Sequence, residues 1–323
     1  MKDKRVLVTG GLGFIGSNLA IRLVEMGAKV TVVDACIENT GWNLRNIEPI
    51  KDKAIVIQKN INDSLLSKVI AKSEYIFNLA GVLSHVDAMK DPVHDLQINT
   101  VDQLKFLLIC LEANPEVKIV YTGTRNQYGR AKYLPVTEDH PFDPIDTNGI
   151  SEIAGEMYHM LYWKLRGLRS TSLRLCNVFG PKHQMKHSRQ GVLNWFIRKI
   201  MLGDKVQLMG TGMQIRDCVY VQDVVDALIS LATSSDKVWG QIFNIGAYPI
   251  SLKEFVEKSI KVYGGGGYEI IPFPNDRKAI EPGDYIANWD KLHKFTGWKP
   301  KTSLEEALRG TFDYYEKEKQ YYF

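Results

Sequence analysis

A glycine-rich turn near the N-terminus constrains this chain more than any other segment. Val6-Leu7-Val8-Thr9 reads as a strand, Gly10-Gly11-Leu12-Gly13 as a tight loop, and Phe14-Ile15-Gly16 as the start of a helix. At such a junction Gly10 allows the turn and Gly13 lets the backbone approach a pyrophosphate. Gly16 lets helix and sheet pack closely, and the helix N-terminus favours an anion. Asp34 ends the next strand-like run, Val30-Thr31-Val32-Val33. A carboxylate there accepts hydrogen bonds from adenosine ribose hydroxyls and repels a 2′-phosphate, which favours NAD over NADP.

Strand-length apolar runs continue at 54–58, 75–79 and 118–122, after those at 5–9 and 29–33, with helical patterns at 14–26, 65–71 and 93–113. Continuous apolar strands alternating with helices predict an α/β fold, a doubly wound parallel sheet covered on both faces. A long helix over 151–165 and a strand over 170–176 follow. In the less regular second half, 191–202, 222–232, 252–262 and 303–315 read as helices. The expected division is a Rossmann domain over 1–180 and a smaller α/β substrate lobe over 181–323, with the chain crossing between them.

A net charge of +4 is too small and too dispersed for a nucleic-acid surface. The basic cluster from Lys182 to Arg189 reads as a solvated loop or one facing a phosphorylated substrate. Cys36, Cys110, Cys176 and Cys218 sit singly with no CxxC pair, so no metal or redox site is expected, and three of them lie in or beside apolar runs, where buried thiols are usual. No secretory signal precedes the first strand and no apolar run has membrane-spanning length. The expectation is a cytoplasmic protein without a membrane partner.

Further motifs run along the chain. Asn60-Ile61-Asn62-Asp63 follows the third strand, Asn78-Leu79-Ala80-Gly81 ends the fourth, and Asn99 lies in the helical pattern after it. Then come Arg174-Leu175-Cys176-Asn177-Val178-Phe179-Gly180-Pro181, Gln214-Ile215-Arg216-Asp217-Cys218-Val219-Tyr220-Val221-Gln222-Asp223, and Gly297-Trp298-Lys299-Pro300. With the Gly-x-x-Gly-x-x-Gly spacing, this set resembles the extended short-chain dehydrogenase/reductases, in particular their nucleotide-sugar epimerase/dehydratase branch and its UDP-glucose 4-epimerase-like members. The resemblance implies NAD as cofactor, a nucleotide-sugar substrate, and a homodimer built through helices near 93–113 and 149–166. It places Asn60, Ile61, Leu79, Ala80, Gly81, Asn99, Thr122 and Cys176 with Gly10, Gly13, Phe14, Ile15, Gly16 and Asp34 around the cofactor. It places Ser84, Thr124, Arg125, Asn177 and Arg216 at the substrate, with Arg216 clamping a phosphate.

The reaction centre departs from that family's pattern. Alignment on Ala154-Gly155-Glu156 puts Asn148 where the family has its catalytic Tyr, and Glu152 where it has Lys. An amide is neither acid nor base, whereas a buried Glu152 would have a raised pKa and could act as a base. Thr124 fills the hydroxyl position that bonds the reacting sugar oxygen. Arg125 and Asn126 replace the acid and base with which dehydratases eliminate water. Tyr128 is a reserve proton acceptor, and Arg125 reads either as a substitute for the missing positive charge or as a surface or phosphate-facing arginine. His85 reads either as a base at the site mouth or as a hydrogen-bonded structural histidine, the commoner case. Glu281-Pro282-Gly283-Asp284 replaces the family's Arg-Pro-Gly-Asp, leaving Arg277 or Lys278 to meet the phosphates. The expected activity is oxidation of C4 of a nucleotide sugar, or 4-epimerisation, by hydride transfer to NAD. The alternative is an impaired NAD and sugar-nucleotide binding protein with a regulatory or partner role.

Overall fold

β1 (Arg5–Thr9) has four of its five residues buried and pairs in parallel with β2 (Lys29–Asp34) on one side and β4 (Tyr75–Asn78) on the other. Burial on both faces accounts for the unbroken apolar run. β3 (Ile55–Gln58), β5 (Lys118–Thr124), β6 (Ser170–Leu175) and β10 (Ile242–Asn244) complete a seven-stranded parallel sheet, in the order β10-β6-β5-β4-β1-β2-β3. The computed structural model describes residues 1–274, 278 and 280–323.

The helices that frame the site are α1 (Phe14–Glu25), α3 (His85–Lys90), α4 (Pro92–Leu96), α5 (Gln103–Ala113) and α6 (Thr147–Arg166). β7 (Asn177–Phe179), β9 (Ile215–Tyr220) and β11 (Tyr248–Ser251) make a second sheet, and β8 (Lys205–Met209) pairs with β12 (Gly267–Ile271). α7 (Val192–Met201), α9 (Leu252–Tyr263) and α11 (Leu304–Tyr322) enclose a core containing Phe179, Phe196, Phe255 and Phe312. The second half also returns to the large sheet. β10 pairs with β6, and Val224 and Leu228 of α8 (Val221–Thr233) join Val6, Val30 and Leu173 in one apolar cluster. Among the described residues no helix is long and apolar enough to cross a membrane.

Three departures from the sequence-based expectation bear on the site and its supports. The strand expected over 170–176 ends at Leu175, and β7 turns away to pair with β9 in the second sheet. The helix expected over 93–113 contains a π turn, Gln97–Asp102, between α4 and α5. The buried carboxylate of Asp102 accepts from Asn60 (2.9 Å), Asn62 (2.6 Å) and Gln97 (2.7 Å), which holds this wide turn beside the third strand's loop. α6 starts four residues early because the Asp146 carboxylate accepts the Gly149 N–H and caps it.

Under the sheet lies a buried ion pair. Arg174 and Glu156 are 1% and 0% exposed and meet at 2.5 Å, with Ser172 donating to the same carboxylate and Arg174 donating to the Tyr128 oxygen. Burial works against the guanidinium's charge, but Glu156 beside it holds its pKa above the ordinary value. Removing one partner strands the other in a dry interior. Glu156→Gln should lower unfolding stability by ~3–5 kcal/mol, and Glu156→Leu with Arg174→Met by less than either single change. Denaturant unfolding of the single and double variants measures both; an additive double variant would contradict the coupling.

Candidate active site

A cavity opens where the carboxyl ends of β1, β4 and β5 face α1, the position where ligands enter open parallel sheets. Its cofactor end is built by close backbone contacts. A Cβ on Gly16 would come within 2.3 Å of the Gly10 oxygen, and one on Gly10, at φ +65°, within 2.6 Å of the Leu79 oxygen. Only hydrogen fits at either place. Gly13 precedes α1 without a side-chain cap, so the first-turn N–H groups remain for an anion. Gly13, Phe14, Ile15 and Gly16 line the cavity there. Asp34 also lines it. Its two oxygens accept the N–H groups of Leu12 (3.1 Å) and Cys36 (2.9 Å), which fixes the carboxylate for a ribose diol. These features fit a dinucleotide. Asn60, Ile61, Leu79, Ala80, Gly81, Thr122 and Cys176 complete this part of the wall. Asn99 does not line it. It brackets Val82, accepting from its N–H and donating to its oxygen, and so supports the loop from behind.

At the reacting end, Thr124 and Glu152 line the cavity and Asn148 does not. Asn148 is fully buried, and its amide donates to the Val82 oxygen (2.9 Å) and to Asp95 (3.0 Å). Asn148 is therefore an internal clamp. Glu152, one helical turn on, lies at the cavity floor and accepts from the Tyr121 hydroxyl at 3.1 Å. Burial pushes its carboxyl up to about 8; the Tyr121 bond opposes this, and the charges of Asp95 and Glu156 add to it. At neutral pH Glu152 is mainly uncharged, so it does not reverse the local charge as its formal −1 suggests.

The other sequence-derived positions divide. Arg125 lines the cavity at 7% exposure, and its Nη1 is buried without a hydrogen-bond partner. Its guanidinium lies 5.3 Å from the Tyr285 ring centre, and burial, then the nearby Arg216 charge, lower its pKa to about 10. Asn177 lines the cavity too, with a buried and unpartnered Oδ1. Tyr128 does not: its ring is in the interior, with its hydroxyl donating to Asn244 at 2.7 Å and accepting from Arg174. The hydroxyl at the end of the short turn after β5 thus points into the interior, away from the site. Ser84 caps α3 by accepting the Asp87 N–H, outside the lining. Arg216 is also outside it, paired with Glu281 and donating to the Gly283 oxygen. The acid at 281 has therefore taken up the guanidinium expected to hold a phosphate. Lys278 is exposed, and Arg277 lies outside the described residues.

His85 is the consequential addition. It lines the cavity beside Asn126, with its Nδ1 2.5 Å from Asp146 Oδ2 and its Nε2 3.1 Å from the Asn126 amide nitrogen. Trp42, Gln184, Gln190 and Leu193 also line the cavity and carry no motif that marks them in the sequence.

The raised pKa of Glu152 has a stability consequence. Folded protein keeps this proton up to about pH 8, whereas an ordinary glutamate releases it near 4.5. The associated stabilisation is full below pH 4.5 and is lost as pH rises to about 8. Glu152→Gln should therefore melt with a flatter pH dependence over that window, and above the wild-type temperature beyond it. Parallel melting curves of the two proteins would contradict the shift.

The sequence profile of the NAD dependent epimerase/dehydratase family matches residues 6–246. A putative UDP-glucose 4-epimerase of Methanocaldococcus jannaschii is 31% identical over 94% of this chain and 96% of its own length. The UDP-glucose 4-epimerase of Mycolicibacterium smegmatis is 29% identical over 98% of this chain and all of its own. Among solved structures, the UDP-glucose 4-epimerase of Thermotoga maritima with UDP-glucose superposes with a TM-score of 0.86 at 29% identity, covering 97% of this chain and 99% of that one. With the glycine cradle, the ribose-facing carboxylate and this match over most of its length, the chain belongs to the NAD dependent epimerase/dehydratase family.

Proposed function

We propose that this protein oxidises C4 of a nucleotide-linked sugar, either as a complete reaction or as the first half of a 4-epimerisation. The observation that carries the reading is that Thr124 and the dinucleotide cradle share one cavity. Bound NAD supplies a hydride acceptor; the chain supplies position and charge. Thr124 Oγ1 accepts the Asn126 N–H at 3.3 Å, which leaves its own hydrogen free to donate to a sugar oxygen. Arg125 offers an unsatisfied cation to an anionic oxygen of the substrate. Asn177 adds an acceptor to the same lining. Arg125 and Asn126 provide no acid/base pair for eliminating water, which separates this site from a dehydratase's.

The same reading includes a homodimer. Ile150, Met157, Leu161 and Leu165 fall on one face of α6 and are between 37% and 64% exposed. Leu108 of the adjoining α5 is 47% exposed. A second copy of this helix pair has the matching apolar seam, and a four-helix bundle would cover both.

Near-ultraviolet absorbance of the NAD-loaded protein, read against UDP-, GDP-, dTDP- and CDP-hexoses with product analysis, tests the activity. One sugar nucleotide should give NADH or its 4-epimer; binding with neither product would overturn the reading. Thr124→Val should lower turnover by ~10²-fold or more. Arg125→Leu should weaken sugar-nucleotide binding by roughly 10–100-fold in calorimetry and leave NAD binding unchanged. Leu161→Glu should convert a dimer to monomer in sedimentation; a wild-type monomer would remove the dimer from the account.

A further inference from the structure

Oxidising a sugar hydroxyl requires a proton acceptor, and position 148 holds a buried amide. We propose that His85, oriented by Asp146, is that acceptor, taking the hydroxyl proton of the reacting carbon on Nε2. The proposal rests on the reading above and names the residue that lets it proceed without the family's phenol.

Asp146 is 3% exposed at its side chain and uses its two oxygens differently. Oδ1 accepts the Gly149 N–H at 2.8 Å and caps α6; Oδ2 faces His85 Nδ1. The helix thus sets the carboxylate, and the carboxylate sets the ring. Burial works to raise the Asp146 carboxyl, but the hydrogen bond and charge of His85, with the Gly149 N–H, hold its pKa below the ordinary value. An ionised Oδ2 accepts from Nδ1–H, so the Nε2 lone pair points outward. The Asn126 amide donates to it at 3.1 Å, and the Asn126 backbone N–H donates to Thr124 Oγ1. Nε2 and Thr124 therefore address neighbouring points of one cavity, and the His85 side chain is 37% exposed.

A sugar hydroxyl entering there replaces the Asn126 amide at Nε2. Its O–H bond breaks and the proton passes to Nε2. The C–H electron pair leaves with its hydrogen as hydride to bound NAD, and the C–O bond becomes C=O. Asp146 stabilises the resulting imidazolium, and the same ring returns the proton when the ketone is reduced. Glu152 serves less well: it lies on the floor under Gly81, one turn beyond the phenol's position, and keeps its own proton at neutral pH.

The ionisable groups on the elements around His85 are Asp146 and Glu152 of the α6 segment, Arg125 of the turn after β5, Asp95 of α4, and Asp87 of α3, which is paired with Arg189. Against that background, His85→Gln should lower turnover by ~10²–10⁴-fold. It should also abolish the acidic limb of the pH–rate profile, with NAD and sugar-nucleotide affinities unchanged. Imidazole should restore part of the turnover of His85→Ala, which a merely structural histidine would not allow. Asp146→Asn, which can still cap α6, should give an intermediate loss.

A second readout needs no turnover. In protein labelled with ¹⁵N-histidine, the signal missing from His85→Gln should show protonated Nδ1 and unprotonated Nε2, and Asp146→Asn should perturb it. Wild-type turnover by His85→Gln, or an Nε2–H tautomer in the native protein, would overturn the proposal. If no sugar nucleotide reacts with the wild type, the broader reading fails, and the tautomer alone decides whether His85 is set to accept a proton.

Discussion

The separation between α1 and the loop before it governs the rest of this structure. With hydrogen at positions 10 and 16, the helix starts against the carboxyl ends of β1 and β4, and its N-terminus becomes part of the cavity wall. A methyl group at either place would meet backbone oxygen at less than 3 Å, and backbone does not yield as a flexible side chain does. Everything downstream takes its position from this edge: Asp34 at the end of β2, Gly81 beyond β4, and Thr124 at the end of β5.

Asn148 and Glu152 of α6 suit a dry interior rather than a reactive surface. Asn148 spends its amide on the Val82 oxygen and Asp95, which also receives the Asn99 amide. Glu152 takes the Tyr121 hydroxyl and is neutralised by burial. A phenol and an ammonium depend on one another, since the cation lowers the phenol's pKa. A buried amide gives a neighbouring ammonium no such task. An amide at 148 and a neutral acid at 152 are therefore coherent as a pair, and the proposed proton acceptor, His85, meets the carboxylate that caps this helix.

Much of the fold and of the cofactor end was legible in the sequence, because the information there is local. The strand runs at 5–9, 29–33 and 118–122 lie in the large sheet, and the glycines act within a single turn. The reacting end was legible only in part. Thr124, Arg125 and Glu152 reach the cavity, but whether Tyr128 or Ser84 does so depends on side-chain direction, which spacing alone does not give. Pairings were the least visible. His85 meets Asp146 across 61 residues, and Arg216 meets Glu281 across 65. A single sequence carries no sign of either partnership. The π turn escaped for a related reason: its cause is Asp102 gathering amides from another segment.

The Arg216–Glu281 pair has a consequence for recognition. Any anion brought to this guanidinium would find a carboxylate already in place, so binding there would be an exchange of one anion for another. The gain is the difference between the two, and a singly charged newcomer offers little advantage over the resident acid. Such a contact would sort anions by charge number, through the difference between their affinity and that of the resident acid.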